Sequence, residues 1–184
     1  MAAGIATAVQ VHGTNAVWAD AAEGREADVL LVRPGGAAGV FTADCVPILL
    51  FDPRTRLGAA VHAGWRGTIA RGPAAAVAAL AGAGARPPDL LAAIGPRIGP
   101  CCYAVGEDLA ARFAAAFGAD VARRAPGGPF LDLGLANRRA LAAAGVARIA
   151  EIAVCTACAG GGRAFFSYRR DGAIAGRQLS FLAP

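Results

Sequence analysis

The chain has 184 residues, enough for one domain with a real hydrophobic core. Its formal charge is +5 and every basic residue is arginine, which excludes a lysine Schiff base and a P-loop lysine. No apolar run reaches the ~18 residues of a membrane span without Gly, Pro or charge, and the start MAAGIATAVQVHG has no basic n-region followed by an apolar h-region, so a cytoplasmic protein without a membrane partner is expected.

Short apolar runs alternate with longer alanine-rich periodic stretches. ADVLLV (27–32) reads as a buried strand, and GVFTADC (39–45) and VPILLFD (46–52) read as strand, break, strand. LGAAVHA (57–63) reads as the partner of the last, reached through the turn around DPRT. A helix is expected over 68–84, with Thr68 as N-cap and Gly72-Pro73 as the feature that shifts its start. A strand follows over 90–96 and a helix over 106–117, with Glu107 and Asp108 in its first turn. The remaining expectations are a strand at 129–133, a helix at 134–145, a strand at 147–155 and a short aromatic strand at 164–170. Together these make a single mixed α/β domain, one sheet with several covering helices.

Positive charge suits an anionic ligand. The arginines are scattered except for the pairs 123–124, 138–139 and 169–170, and no basic stretch is interleaved with aromatics, so a nucleic-acid partner is not expected. The five cysteines are Cys45, Cys101, Cys102, Cys155 and Cys158, an odd number that argues against a disulfide framework. Cys155-Thr-Ala-Cys158 is a lone CxxC near the C-terminus. A structural zinc site wants a second pair or two histidines, and a redox motif wants a thioredoxin-like setting, so these two read as ordinary cysteines.

The chemistry-bearing residues sit in short polar breaks between apolar runs: His12 in QVHGT, Asp44 and Cys45 in TADCVP, His62 in VHAGW. Two imidazoles and a thiolate make a three-ligand set, the pattern of catalytic zinc with an open fourth position. Two other readings share the same residues: buried core side chains, and a Cys45 nucleophile activated by His62 or His12 with the ring oriented by Asp44 or another acid. Two histidines support one zinc or copper ion and exclude a multicopper cluster. In GWRGT, a helix beginning near Thr68 would present free N–H groups and Arg66 to an anion. The same glycines equally suit a plain strand-to-helix turn. IGPRIGPCCYAVG carries Arg97 and Tyr103 on a loop of the kind that walls a pocket. In FFSYRRDG, strand alternation would turn Arg169 and Arg170 to opposite faces, one to an anion and one to solvent or Asp171.

QVHGTNAVWAD, TADCVPILLFD, AAVHAGWRGT, AIGPRIGPCCYAVGED and FFSYRRDGAIAGRQLSFL, taken in order, resemble the successive signatures of the laccase-domain family, whose members are called polyphenol oxidoreductase, purine nucleoside phosphorylase or peptidoglycan editing factor. The resemblance runs from about residue 9 to the C-terminus and implies the family's α/β sandwich. It implies zinc, with copper reported for laccase-named members, on His12, Cys45 and His62. It implies phosphorolysis of adenosine, inosine and methylthioadenosine, together with adenosine deamination, on small-molecule nucleoside and phosphate. The anion and substrate candidates are then Arg66, Arg97, Tyr103 and Arg170, with Cys45, His62, Arg66 and Arg170 as the catalytic set and Glu107 as a proton carrier. The alternatives are a hydrolase that edits wrongly built peptidoglycan precursors and a non-catalytic metal-binding module. Polyphenol oxidation by itself is weak evidence, because adventitious copper produces it. Three departures stand out. Only nine residues precede Gln10, where the family carries a longer leading segment, so part of the sheet and pocket wall is expected to be missing; Ala104 stands where an acid is common; Ala175 stands where Thr is common.

Overall fold

The computed structural model describes residues 4–184. Among these described residues, ten strands form three sheets. The main sheet contains β1 (Ala16–Trp18), β2 (Val29–Val32), β4 (Val46–Phe51), β5 (Gly58–Ala63), β6 (Leu91–Ile94) and β9 (Arg148–Glu151), in the order β1-β2-β5-β4-β6-β9. Its inner pairs β2–β5, β5–β4 and β4–β6 are antiparallel, and the edge pairs β1–β2 and β6–β9 are parallel. β3 (Ala38–Thr42) pairs antiparallel with β10 (Gln178–Leu182), and β7 (Ala122–Ala125) makes a hairpin with β8 (Gly128–Leu131). The α/β sandwich expected from the sequence is thus built from three sheets rather than one.

The unbroken apolar runs of β2 and β5 follow from burial on both faces. Side chains alternate, so Val29 and Leu31 join Ala59, Val61 and Ala63 in the larger core under the helices, while Leu30, Val32 and Ala60 face Ala38 and Val40 of the β3–β10 layer. Alanine at Ala60 and glycine at Gly58 let that second layer come close; a Cβ at Gly58 would overlap Leu182 of β10.

Four helices cover the other face: α1 (Trp65–Ile69), α2 (Gly72–Gly82), α3 (Glu107–Phe117) and α4 (Leu133–Ala143). α3 buries Ala110, Phe113 and Phe117, one stripe at helical spacing. α4 is capped by Asp132, whose side chain accepts from the Leu135 N–H at 2.9 Å. The expected helix over 68–84 is two helices. Arg71 adopts a left-handed conformation (φ 65°) between them, and Pro73 sits in the first turn of the second. Thr68 is not an N-cap. Gly64 holds that position, and the buried Thr68 hydroxyl is bonded to Asn137 of α4 at 3.0–3.2 Å. The strand expected at 164–170 is also absent. Ser167 caps a single helical turn, Tyr168–Asp171, by accepting from the Arg170 N–H, and the strand of this region lies further on as β10.

Candidate active site

The His12, Cys45 and His62 breaks meet at the end of the main sheet, where the β4–β5 hairpin opens. His62 is on β5 opposite Pro47, and Cys45 stands just before β4, so the hairpin register brings the thiol to the imidazole. His12 arrives on the loop ahead of β1. The three ligand atoms lie within 4.8 Å of one another, and the two rings stand edge-on with centroids 4.8 Å apart. Space for this convergence comes from Gly64. A Cβ there would lie 2.9 Å from Cys45 Sγ and 2.9 Å from His12 Cδ2, closer than real contacts allow.

Asp28, which sequence reasoning did not single out, organises the site. It is fully buried at the start of β2. Its carboxylate accepts from the backbone N–H groups of Val11 (3.2 Å), His12 (3.0 Å) and Gly13 (2.6 Å), and bonds His62 Nδ1 at 2.7 Å. These bonds hold His12 in the left-handed region (φ 63°), a conformation costing about 1–2 kcal/mol for a residue with a side chain. Bonding at Nδ1 leaves Nε2 of His62 for the shared point, the carboxylate–histidine arrangement that fixes ligand tautomer and orientation. The only sign in the sequence was one acidic residue inside an otherwise apolar run, ADVLLV.

Electrostatics follow the same contacts. Burial works against ionisation of Cys45, but hydrogen bonds and charge from His12 and His62 outweigh it and bring the thiol down to about 7. Burial lowers His62, yet Asp28 and Cys45 more than compensate and raise it to about 9. Asp28 is pushed up by its burial but held below the usual carboxylate range by His62 and the Gly13 and His12 N–H groups. Two imidazoles, one readily ionised thiol, a carboxylate-anchored ring and an open side toward solvent suit a tetrahedral cation with one free position.

Asp44 does not orient a histidine. It has a left-handed backbone (φ 87°), accepts from Thr156 Oγ1 at 2.7 Å and the Arg169 N–H at 2.6 Å, and its carbonyl accepts from the Ile98 N–H at 3.0 Å. It thereby sets the turn that presents Cys45.

The trio opens into a cavity of about 710 Å³, whose lining includes Gln10, Phe41, Trp65, Arg66, Tyr103, Tyr168, Arg169 and Arg177. Arg66 is exposed on α1, with its guanidinium 4.6 Å from the Trp65 ring centre. α1 begins at Trp65 and spans only five residues, so the helix start expected at Thr68 to present free N–H groups is absent. Tyr103 lies under the Arg169 guanidinium, 5.0 Å from ring centre to carbon. Burial, with the Cys45 charge adding to it, pushes the Tyr103 phenol up to about 12, so it stays a hydrogen-bond donor.

Two arginines proposed from sequence lie outside this cavity. Arg97 is buried, pairs with Glu151 and points to the Gly95 and Ile152 carbonyls, held against Gly134 where any Cβ would overlap it. Arg170 is paired with Asp171 at 2.6–2.7 Å and points to the carbonyls of Thr156, Ala157 and Phe165. The reason is the helical turn at 168–171: it sends Arg169, not Arg170, to the cavity. Arg169 donates there to the Ala104 carbonyl at 2.9 Å. Glu107 is exposed and doubly bonded to Arg124, away from the cavity lining. Arg177 and Gln10 line the cavity but were not named from sequence, although QVHGT and GAIAGRQ carry them, because neither is a metal-ligating or nucleophilic residue type.

The family described as multi-copper polyphenol oxidoreductase laccase matches residues 1–183. The chain is 41% identical over 174 residues to a purine nucleoside phosphorylase of Deinococcus radiodurans, covering 94% of this chain and 67% of that protein. It is 42% identical over 160 residues to adenosine deaminase RL5 from an unknown prokaryotic organism, covering 83% and 60%. Among solved structures, YlmD from Geobacillus stearothermophilus superposes with a TM-score of 0.87 at 32% identity, over 97% of this chain and 72% of that one. The chain therefore spans about two thirds of the length of these curated relatives, and on the extent of the match it belongs to the multi-copper polyphenol oxidoreductase laccase family.

Proposed function

We propose that the chain is a cytoplasmic zinc-dependent purine nucleoside enzyme, acting by phosphorolysis of adenosine, inosine and methylthioadenosine and by deamination of adenosine. The observation that carries this reading is the joining of the His12–Cys45–His62 trio, three guanidinium groups and several aromatic faces in one cavity. The names of the relatives, purine nucleoside phosphorylase and adenosine deaminase, support the same substrate class.

Zinc on this trio would supply Lewis-acid polarisation and a water of lowered pKa at its open position. The remaining work falls to the protein. Asp28 holds His62 in the tautomer that leaves Nε2 free. Arg66, Arg169 and Arg177 line the cavity and favour a phosphate dianion, which they neutralise and orient toward the anomeric carbon. Phe41, Trp65 and Tyr168 offer apolar surface to the purine, and Tyr103 donates from its neutral hydroxyl. In phosphorolysis the phosphate oxygen bonds the anomeric carbon as the bond to the base breaks.

The test is to measure zinc per chain and then turnover of inosine and adenosine, with and without phosphate. Base release from inosine should require phosphate, ammonia release from adenosine should not, and both should be lost on chelation and return with zinc. Turnover in metal-free protein would favour Cys45 as a nucleophile instead. Bound zinc with no nucleoside turnover would favour the precursor-editing hydrolase or a non-catalytic metal module.

A further inference from the structure

The four cysteines that the catalytic reading leaves unused are not scattered. Cys101 and Cys102 lie midway along the loop between β6 and α3, and Cys155 and Cys158 follow β9. Parallel bonding between the two segments brings them side by side: the Arg97 N–H donates to the Val154 carbonyl at 3.2 Å and the Thr156 N–H to the Arg97 carbonyl at 3.0 Å. Each segment then turns. The N–H groups of Cys102 and Tyr103 both donate to the Gly99 carbonyl at 3.0 Å, and the Ala159 N–H donates to the Cys155 carbonyl at 3.1 Å. The two turns face each other, and all four sulfurs lie within 4.8 Å of one another.

We propose that Cys101, Cys102, Cys155 and Cys158 form a second metal centre, a closed tetrathiolate zinc site with a structural role. A tetrahedral ion with Zn–S bonds of about 2.3 Å sets its sulfurs about 3.8 Å apart, and Cys101 Sγ and Cys158 Sγ are 3.7 Å apart. The Gly99 N–H points at Cys155 Sγ at 3.3 Å, as a donor does to a ligating thiolate. Cys102 and Cys155 are half-buried against the core, but core packing does not account for Cys101 and Cys158, which are exposed, and all four are free thiols. Soft, all-sulfur ligation selects zinc over magnesium or calcium, and four protein ligands leave no position for substrate. In sequence the CxxC lacked a second pair; the fold supplies it from 54 residues upstream of Cys155, at Cys101.

The position explains what such a centre does. It clamps the loop carrying Ile98 and Tyr103, which line the catalytic cavity, to the segment carrying Thr156. Thr156 holds Asp44, and Asp44 sets the turn of Cys45. The zinc is a staple for two walls of the neighbouring site, and it stands or falls independently of the nucleoside reading.

The experiment uses the full chain, loaded with zinc and freed of excess by gel filtration. Elemental analysis should find two zinc ions per wild-type chain, one in Cys101→Ser/Cys158→Ser, and one in His12→Ala/His62→Ala. Cobalt substitution should give strong sulfur-to-metal charge-transfer bands that survive in the histidine variant and fall, in the cysteine variant, to the weaker absorption of the single Cys45 thiolate. Mass mapping of wild-type protein after iodoacetamide covers the case in which a variant fails to fold: zinc should protect Cys101 and Cys158 despite their exposure, and chelation should expose them. One zinc per wild-type chain with equal alkylation of Cys101 and Cys158 in the presence and absence of zinc would overturn the proposal. So would iron in place of zinc, or recovery of these cysteines as disulfides. Two zinc ions with no nucleoside turnover would leave the staple standing and refute the catalytic reading instead.

Discussion

Replacing Asp28 by asparagine (D28N) is the sharpest test of how the metal site is held. The amide would keep the shape of the side chain but turn one acceptor oxygen into a donor. With the amide nitrogen on the Gly13 side, two backbone N–H groups, those of Gly13 and Val11, would face a donor. With the amide reversed, the His12 N–H would face it and His62 Nδ1 would have to accept, moving the ring proton to Nε2, where it blocks ligation. Either orientation loses or inverts two of the four bonds. At about 1.5–3 kcal/mol for a hydrogen bond to a charged group, the loss amounts to about 3–6 kcal/mol, an upper bound because the loop relaxes. Zinc affinity should fall about 10–100-fold, as for other partners that orient a metal-ligating histidine. Urea unfolding of the metal-free protein reads the first effect, and competition against a fluorescent zinc chelator reads the second. Unchanged zinc affinity together with an unchanged unfolding free energy would refute the role given to Asp28.

Gly64→Ala tests the space between the ligands. The backbone there (φ −72°, ψ 178°) accepts alanine, so only the Cβ contacts with Cys45 and His12 matter; a loss of about 1–3 kcal/mol in stability and a marked fall in zinc occupancy are expected, read by thermal melting and elemental analysis. Arg169→Met and Arg97→Met separate the cavity from the core: the first should raise KM for phosphate with little change in melting temperature. The second should lower stability by about 1–3 kcal/mol by taking the donor away from the Gly95 and Ile152 carbonyls and leave KM for phosphate near wild type, and an unchanged phosphate KM in Arg169→Met would remove that residue from the anion site.

Much of the fold was legible because the main sheet is buried on both faces. Continuous apolar runs announced β2, β4, β5 and β6, and the DPRT turn announced the β4–β5 pairing. β10 and β7 were missed for a matching reason: QLSFL has half-buried and exposed positions in alternation, and ARRA is largely polar, so neither stands out as an apolar run. FFSYRR looked like a strand by its aromatics, but Ser167 caps a helical turn there. That single local choice decides which of two adjacent arginines reaches the cavity, and periodicity cannot make it.

Residue types alone determined what chemistry was open to this chain: two imidazoles and a few thiols allow single ions and forbid a copper cluster, and the ordered motifs marked His12, Cys45 and His62 together. Tertiary structure alone decided which groups serve them. Asp28 became the anchor of His62, Asp44 the keeper of the Cys45 turn, Arg97 a buried partner of Glu151, and four distant cysteines a single cluster. Ligand identity is a property of the side chain and can be read one residue at a time. Orientation, burial and hydrogen-bond partner depend on segments far apart along the chain, and exist only once the sheet brings those segments to one end.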